Sequence, residues 1–385
     1  MASIFNIAKH SKKPADGEEA TLLAMWAGRD QDVKTECICV RWSPDDEKLA
    51  AGCGDGLVRI YDKDGKLQDR LGSVPVEAKN ALSIGNDKLP VMSMRWRPDT
   101  SGNRMAIRVA GADGVIELYD LKTKQVRSTT KEVDSMSGKQ NQTLAMDYNV
   151  DGTRWATGGQ DRVVRVYDES NPKECVVECR GSTAGERGHQ NRICAVKYSP
   201  DKPSVLASAG LDGTVLLWDT RDRSPEPFCQ ISNVAVAGDS LDIKGSHVLV
   251  GSWRPADQLQ VYDMRKEGEL VKSIKFTKPK ETAPAGKSAG AARWLKAKEL
   301  MRGACNVYGA QFCHTGPLAG CVVAGGTGNK QVKVFSPQEP HWPLGSMVVQ
   351  SGVHGLHVNH AGTLIAIAAV DGTVYGVKMP EYTPK

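Results

Sequence analysis

Apolar and polar residues alternate with a period of two through short runs of this chain, and the runs come in groups. "CICVRW" (37–42) is followed by a polar turn, then by "KLAAGC" (48–53), a Gly/Asp turn, and "LVRIYD" (57–62). Side chains on a strand point alternately to opposite faces, so this alternation between turn formers predicts strands, and Asp-Gly predicts a tight hairpin between two of them. One stretch departs from the rule: "AARWLKAKEL" (291–300) has apolar residues loosely on one helical side and predicts a short helix.

The group recurs. Val40 to Asp62, Met94 to Asp120, Met146 to Asp168 and Val196 to Asp219 align, and weaker copies run from Leu241 to Asp263, Ala310 to Ser336 and Leu356 to Lys378. Most copies end in Tyr-Asp or Trp-Asp, and a further apolar run such as "KLQDRL" or "LVKSIKF" usually follows. Each of the seven units therefore predicts a four-stranded antiparallel meander, and units that each leave a face uncovered must stack.

With these residues in view, the chain resembles the WD-repeat family, whose units are the blades of a β-propeller. The resemblance implies an all-β fold with seven four-stranded antiparallel blades. In the fourth unit Gly188-His189 precedes Trp218-Asp219, and the family pattern implies a buried network of His189, Ser208, Asp212 and Trp218. Tyr61, Tyr119, Tyr167, Tyr262 and Phe335 replace the Trp elsewhere, so those blades are expected to rely more on packing than on this network. The seventh unit lacks chain for a fourth strand, and Thr21 to Trp26 is expected to supply it and close the ring. Residues 1–20 then form a tail, and 21–380 a single propeller with an insertion at 277–304 between blades 5 and 6.

Composition adds limits. With 40% hydrophobic and 25% charged residues there is ample material for a core, and no apolar run is long enough to span a membrane or to serve as a signal peptide. Ten cysteines, several inside strand-like runs, read as reduced buried thiols, which places the chain in a reducing compartment. A formal charge of +5 does not mark a nucleic-acid binder.

Candidate chemistry is sparse. "ETAPAGKSAG" (281–290) mimics the end of a phosphate loop, but Glu281 stands where the first Gly must turn the chain, so a nucleotide-binding enzyme is the disfavoured alternative. His354, His357 and His360 suggest a metal, yet on a regular strand the first two point to opposite faces. Cys175 and Cys179 share a strand face, and Cys37 and Cys39 are expected to point together into one blade interface. No catalytic residue, metal, cofactor or small-molecule substrate is assigned.

Loops carry function on rigid scaffolds. The tight turns and the connections between blades emerge on one face, which would display Arg162, Trp253, Arg254 and Lys330. The insertion adds Lys287, Arg293, Trp294, Lys296, Lys298 and Arg302, and its seven basic residues against two acidic ones match the net charge of the whole chain. These residues are expected to bind an acidic protein surface within a larger complex. On the opposite face "WDTR" and "YDMR" resemble the signature by which some family members dock onto the adaptor of cullin-4 ubiquitin ligases, through Arg221 and Arg265 here. The expectation is a non-enzymatic cytoplasmic scaffold, with a cytoskeletal or ciliary assembly as the preferred setting, the nucleus left open, and a ubiquitin-ligase substrate receptor as the alternative.

Overall fold

The computed structural model describes residues 19–30, 34–72, 89–98, 105–134, 137–180, 187–223, 225–276, 305–338 and 341–381. The insertion at 277–304 lies outside them. Twenty-nine strands and a single 3-10 turn, Met264–Lys266, make up the regular structure of the described residues.

Six blades are built in chain order from four antiparallel strands each: 37–71, 91–131, 143–179, 193–232, 241–274 and 306–348. The seventh combines three strands of 353–378 with Ala24–Gly28 as its outermost strand, so the N-terminal segment closes the ring. Seven apolar clusters lie one at each seam between neighbouring blades, including the seam of blade 7 with blade 1. A blade buries both faces only when it is stacked, which makes closure part of core formation.

The tight turns explain the Asp-Gly pattern. Asp55, Asp113, Asp212 and Asp371 accept from the backbone N–H two residues on, at 3.0–3.2 Å. The Gly after each has φ between 70° and 83°, which side chains disfavour. Two blades hold the same left-handed turn without glycine: Arg162 has φ 69° and Lys330 φ 55°.

Two expectations need correction. Thr21 to Trp26 is not one strand: Ala20–Thr21 adds to blade 6 in parallel with Pro343–Val348, and only Ala24–Gly28 joins blade 7. Between them Leu22 is buried in the seam of blades 6 and 7, where Gly345 makes room for it. Cys37 and Cys39 do not point together. A register shift at Ile38 sends Cys37 to the blade 7 side and Cys39 to the blade 2 side, because a bulge breaks the alternation of faces.

Blades 1 and 3, which end in tyrosine, add polar contacts of their own to their packing. In blade 3, buried Glu132 accepts from Asn141 Nδ2 at 3.0 Å, Thr143 Oγ1 at 2.9 Å and Tyr167 OH at 2.9 Å, and also from Thr157 Oγ1. At the seam of blades 2 and 3, buried Arg108 donates to Tyr148 OH and Glu169, both at 2.8 Å, with its guanidinium 4.1 Å over the Trp155 ring. In blade 1, Arg59 bridges Asp30 and Asp55. Asp30 and Glu132 come from the connections that precede each unit, so the aligned repeats could not reveal them.

Candidate interaction faces of the ring

The innermost strands each place toward the axis the polar residue in the middle of an apolar–polar–apolar triplet: Arg41, Arg95, Asp147, Lys197, Asp242, Gln311 and His357. They form a belt. Arg95 pairs with Asp147 at 2.7 Å and reaches Asp239 at 3.2 Å, while Arg41 pairs with the same Asp239. Lys197 lies 3.9 Å from Asp147 and 3.7 Å from Asp242, and His314 bonds Asp242 at 2.9 Å.

The acceptors in the belt tie each blade to the next. Asp147 accepts from the N–H of Tyr198, Asp242 from Phe312, Gln311 from Val358 and His357 from Trp42, at 2.8–3.1 Å. Burial pulls the Arg41 guanidinium down, and the neighbouring Arg95 adds to the effect, to about 9, so it stays charged at neutral pH. Burial likewise holds His357 well below 6.5, reinforced by Arg41, His360, Lys197 and Arg95, so the ring stays neutral and can accept.

The belt separates two basins. On the face of the tight turns, a cavity of about 520 Å³ is lined by a repeat-equivalent ring of bulge residues. Ile38, Met92, Leu144, Cys194, Tyr308 and His354 each sit at a register shift in an innermost strand, and the bulge turns the side chain toward the axis. Leu211 and Trp253 complete the apolar wall from the turns of blades 4 and 5. On the other face a more polar cavity of about 500 Å³ is lined by Lys197, His314, Asn359 and His360, among others.

Trp253 is 38% exposed and packs edge-on against Tyr308 of the next blade, with ring centroids 4.6 Å apart. It therefore forms the basin wall rather than packing into its own blade. Arg162 is exposed on the same face, Arg254 donates to Asn233 at 3.0 Å, and Lys330 donates to the Gln350 carbonyl at 3.1 Å. Lys287, Arg293, Trp294, Lys296, Lys298 and Arg302, like the Gly-Lys-Ser stretch, lie outside the described residues. Arg221 and Arg265 occupy equivalent positions in blades 4 and 5 on the other face, and each folds back onto the aspartate two residues before it.

His354, His357 and His360 are spread along the channel: the first lines the apolar basin, the second joins the belt and the third lies in the polar basin. Blade 4 contains an arrangement with the outline of a nucleophilic triad. His189 bonds Asp212 through Nδ1 at 2.9 Å and Ser208 through Nε2 at 2.7 Å. Burial decides its role, because Ser208 is fully buried and accepts from the Trp218 indole at 2.8 Å, leaving no face for a substrate. The set braces the blade.

The belt and the bulge ring escaped the sequence reading. Their signal was present: the triplets "VRW", "MRW", "MDY", "VKY", "LDI", "AQF" and "LHV" each hold one polar residue between two apolar ones at the same place in the unit.

The family model described as "WD domain, G-beta repeat" matches residues 28–62, 130–168 and 180–219, which fall on blades 1, 3 and 4 of the seven. These three blades of the chain are WD repeats. Its relatives include the WD repeat-containing protein slp1 of Schizosaccharomyces pombe, 23% identical over 252 residues, covering 63% of this chain and 43% of that one. The anaphase-promoting complex subunit cdh1 of Dictyostelium discoideum is 30% identical over 131 residues, covering 34% of this chain and 15% of its own. The diphthine methyltransferase of Homo sapiens is 23% identical over 181 residues, 44% of this chain and 37% of the other. The match spans less than half the length of each of these relatives. WD-repeat propellers are in general interaction platforms within protein assemblies, and this chain shares that architecture.

Proposed function

We propose that this chain is a non-enzymatic scaffold that docks an acidic partner segment on the face of its tight turns. The observation that carries the reading is the apolar basin within a basic rim. Ile38, Met92, Leu144, Leu211 and Trp253 offer apolar area, while Lys34, Arg162, Arg192, Arg254 and Lys330 on the surrounding turns and connections form no ion pair with a carboxylate among the described residues. Large apolar side chains at a rigid, partly desolvated centre, ringed by charge, are the composition of an interaction hot spot. Residues 276 and 305, between which the basic insertion runs, leave and rejoin blades on this face, so the insertion's charge would add to the rim. One relative's name as a subunit of a complex agrees with a role in assembly, and another's as a methyltransferase is not carried over, because the triad-like set of blade 4 is sealed.

The test is affinity capture from cells followed by mass spectrometry, comparing wild type with Trp253→Ala and Leu211→Glu. Loss of a common set of partners from both variants, with unchanged melting, supports the reading. Identical partner sets sink it. The proposed setting is a cytoskeletal or ciliary assembly, because a microtubule surface is acidic and would suit a basic rim, and salt-sensitive cosedimentation with microtubules checks it.

A second reading has one observation of its own: Arg221 and Arg265 are exposed at matching positions of adjacent blades, with side-chain exposures of 79% and 67%. A ubiquitin-ligase receptor of the cullin-4 type would lose its adaptor on Arg221→Ala with Arg265→Ala. A wild-type chain that never recovers the adaptor eliminates that reading.

A further inference from the structure

One charge on the lining of the apolar basin has no answer. In the belt beneath, Arg41, Arg95 and Lys197 stand against Asp147, Asp239 and Asp242, so cations and carboxylates balance there. Glu36 is left over: its side chain lines the basin, is exposed, and forms no hydrogen bond or ion pair with a described residue. Its place is fixed. The N–H of Gly54 donates to the Glu36 carbonyl at 3.0 Å, and the Glu36 side chain lies over Gly54, where a Cβ would come 3.0 Å from Glu36 Cγ. The carboxylate is turned inward, because its charge is felt on blades 6 and 7. Burial raises the Tyr308 pKa and the Glu36 charge adds to the rise, whereas burial lowers the His354 pKa and the same charge opposes the fall.

An unanswered carboxylate beside apolar walls favours a cation, and the attraction is stronger there than at an open surface. The walls next to it are Ile38, Met92 and Leu144, so the cation must arrive on an apolar stem. Only Lys and Arg carry one of sufficient length. Aromatic surface separates these two. Trp253 is 38% exposed and stands 4.6 Å from Tyr308, centroid to centroid, so the indole is open to stacking. A planar guanidinium stacks on such a ring while its fork reaches a carboxylate, whereas an ammonium is a strongly hydrated point charge. The basic rim repels a run of basic residues, so the entering arginine stands alone among acidic neighbours.

We infer that the basin receives one arginine side chain from an acidic segment of a partner protein, with its stem on the apolar wall and its guanidinium donating to the Glu36 carboxylate. The inference rests on the docking reading of this face and names the residue that enters it.

The probe is a set of heptapeptides with four acidic residues, two glycines and one central Arg, Lys, citrulline or Leu, titrated into the full chain by calorimetry. Citrulline keeps the shape of arginine and removes its charge. The expected result is that the Arg peptide binds about tenfold tighter than the citrulline peptide, the worth of one charge-assisted contact, with the Lys peptide between them. In Glu36→Gln, a change at an exposed side chain that bonds no described residue, the Arg and citrulline peptides bind alike and the melting midpoint is unchanged. Equal binding of the Arg and citrulline peptides to the wild type overturns this inference and leaves the docking reading standing. So does an Arg margin that survives Glu36→Gln, because the cation is then read elsewhere. A Lys peptide that matches or exceeds the Arg peptide removes arginine as the occupant, and a Leu peptide that binds tightest makes the occupant apolar; each overturns the inference. Failure of all four to bind overturns both.

Discussion

The indole N–H of Trp26 donates to the carbonyl of Lys63, 2.8 Å away, tying the closing strand of blade 7 to the outer turn of blade 1. Gly65 and Gly376 flank the ring, and a Cβ built at either position would lie 2.3 Å from the indole. Trp26→Ala should cost about 2–3 kcal/mol, less than for a fully buried Trp because the side chain is only half-buried. Gly376→Ala should push the indole from its slot and cost a comparable amount. Urea denaturation measures both, and unchanged midpoints would mean that this seam does not hold the ring.

Glu132 gathers four donors in a site where water does not reach. Glu132→Ala should lower stability by about 3–5 kcal/mol, since several buried donors lose their partner at once. Tyr167→Phe removes one donor and should cost about 1 kcal/mol. The contrast between the two, read from chemical denaturation, checks that the carboxylate is the hub; equal costs would deny it.

Arg162 and Lys330 hold left-handed turns that glycine holds in blades 1, 2, 4 and 7. Replacing either by Gly should stabilise the fold by about 1 kcal/mol by relieving the conformational cost. If these side chains contribute to the rim, the same replacements should weaken salt-dependent partner binding. Strain retained where it serves a contact would then be the explanation. Loss of stability in both variants would show that their side chains pack instead.

His357 makes the seam of blades 7 and 1 sensitive to acid. Its folded pKa lies well below the unfolded value of 6.5, with burial the main cause and Arg41, His360, Lys197 and Arg95 adding to it. The unfolded chain therefore binds the proton first, and stability falls as pH drops below about 6.5 toward the folded pKa. His357→Gln should keep most of the stability at about pH 7.5 and flatten this acid slope, because Gln311 already performs the same acceptor role toward Val358 at 3.0 Å. Thermal melts across that range test it, and a slope equal to that of the wild type would remove His357 from the account.

The blades were legible because their signals are local. An Asp that caps its own turn and a Gly with positive φ sit at fixed offsets, so Asp55-Gly56 and Asp212-Gly213 mark their hairpins unaided. The bulges were not legible, since an extra residue such as Ile38 leaves the composition of the strand unchanged while reversing the faces of its neighbours. Glu132 was hidden for a different reason: its partners Tyr167 and Thr157 lie within the unit, but the carboxylate comes from outside it. The basin followed the same logic. Trp253 was visible as an exposed aromatic in a turn, whereas its meeting with Tyr308 depends on the stacking of two blades.

Arg41, Arg95 and Asp239 belong to the lining of both basins, so their ion pairs form a septum across the axis. The ring is thus a double-sided socket rather than a tube. Whatever entered either side would meet the same three side chains, from opposite directions, with their charges already answering each other.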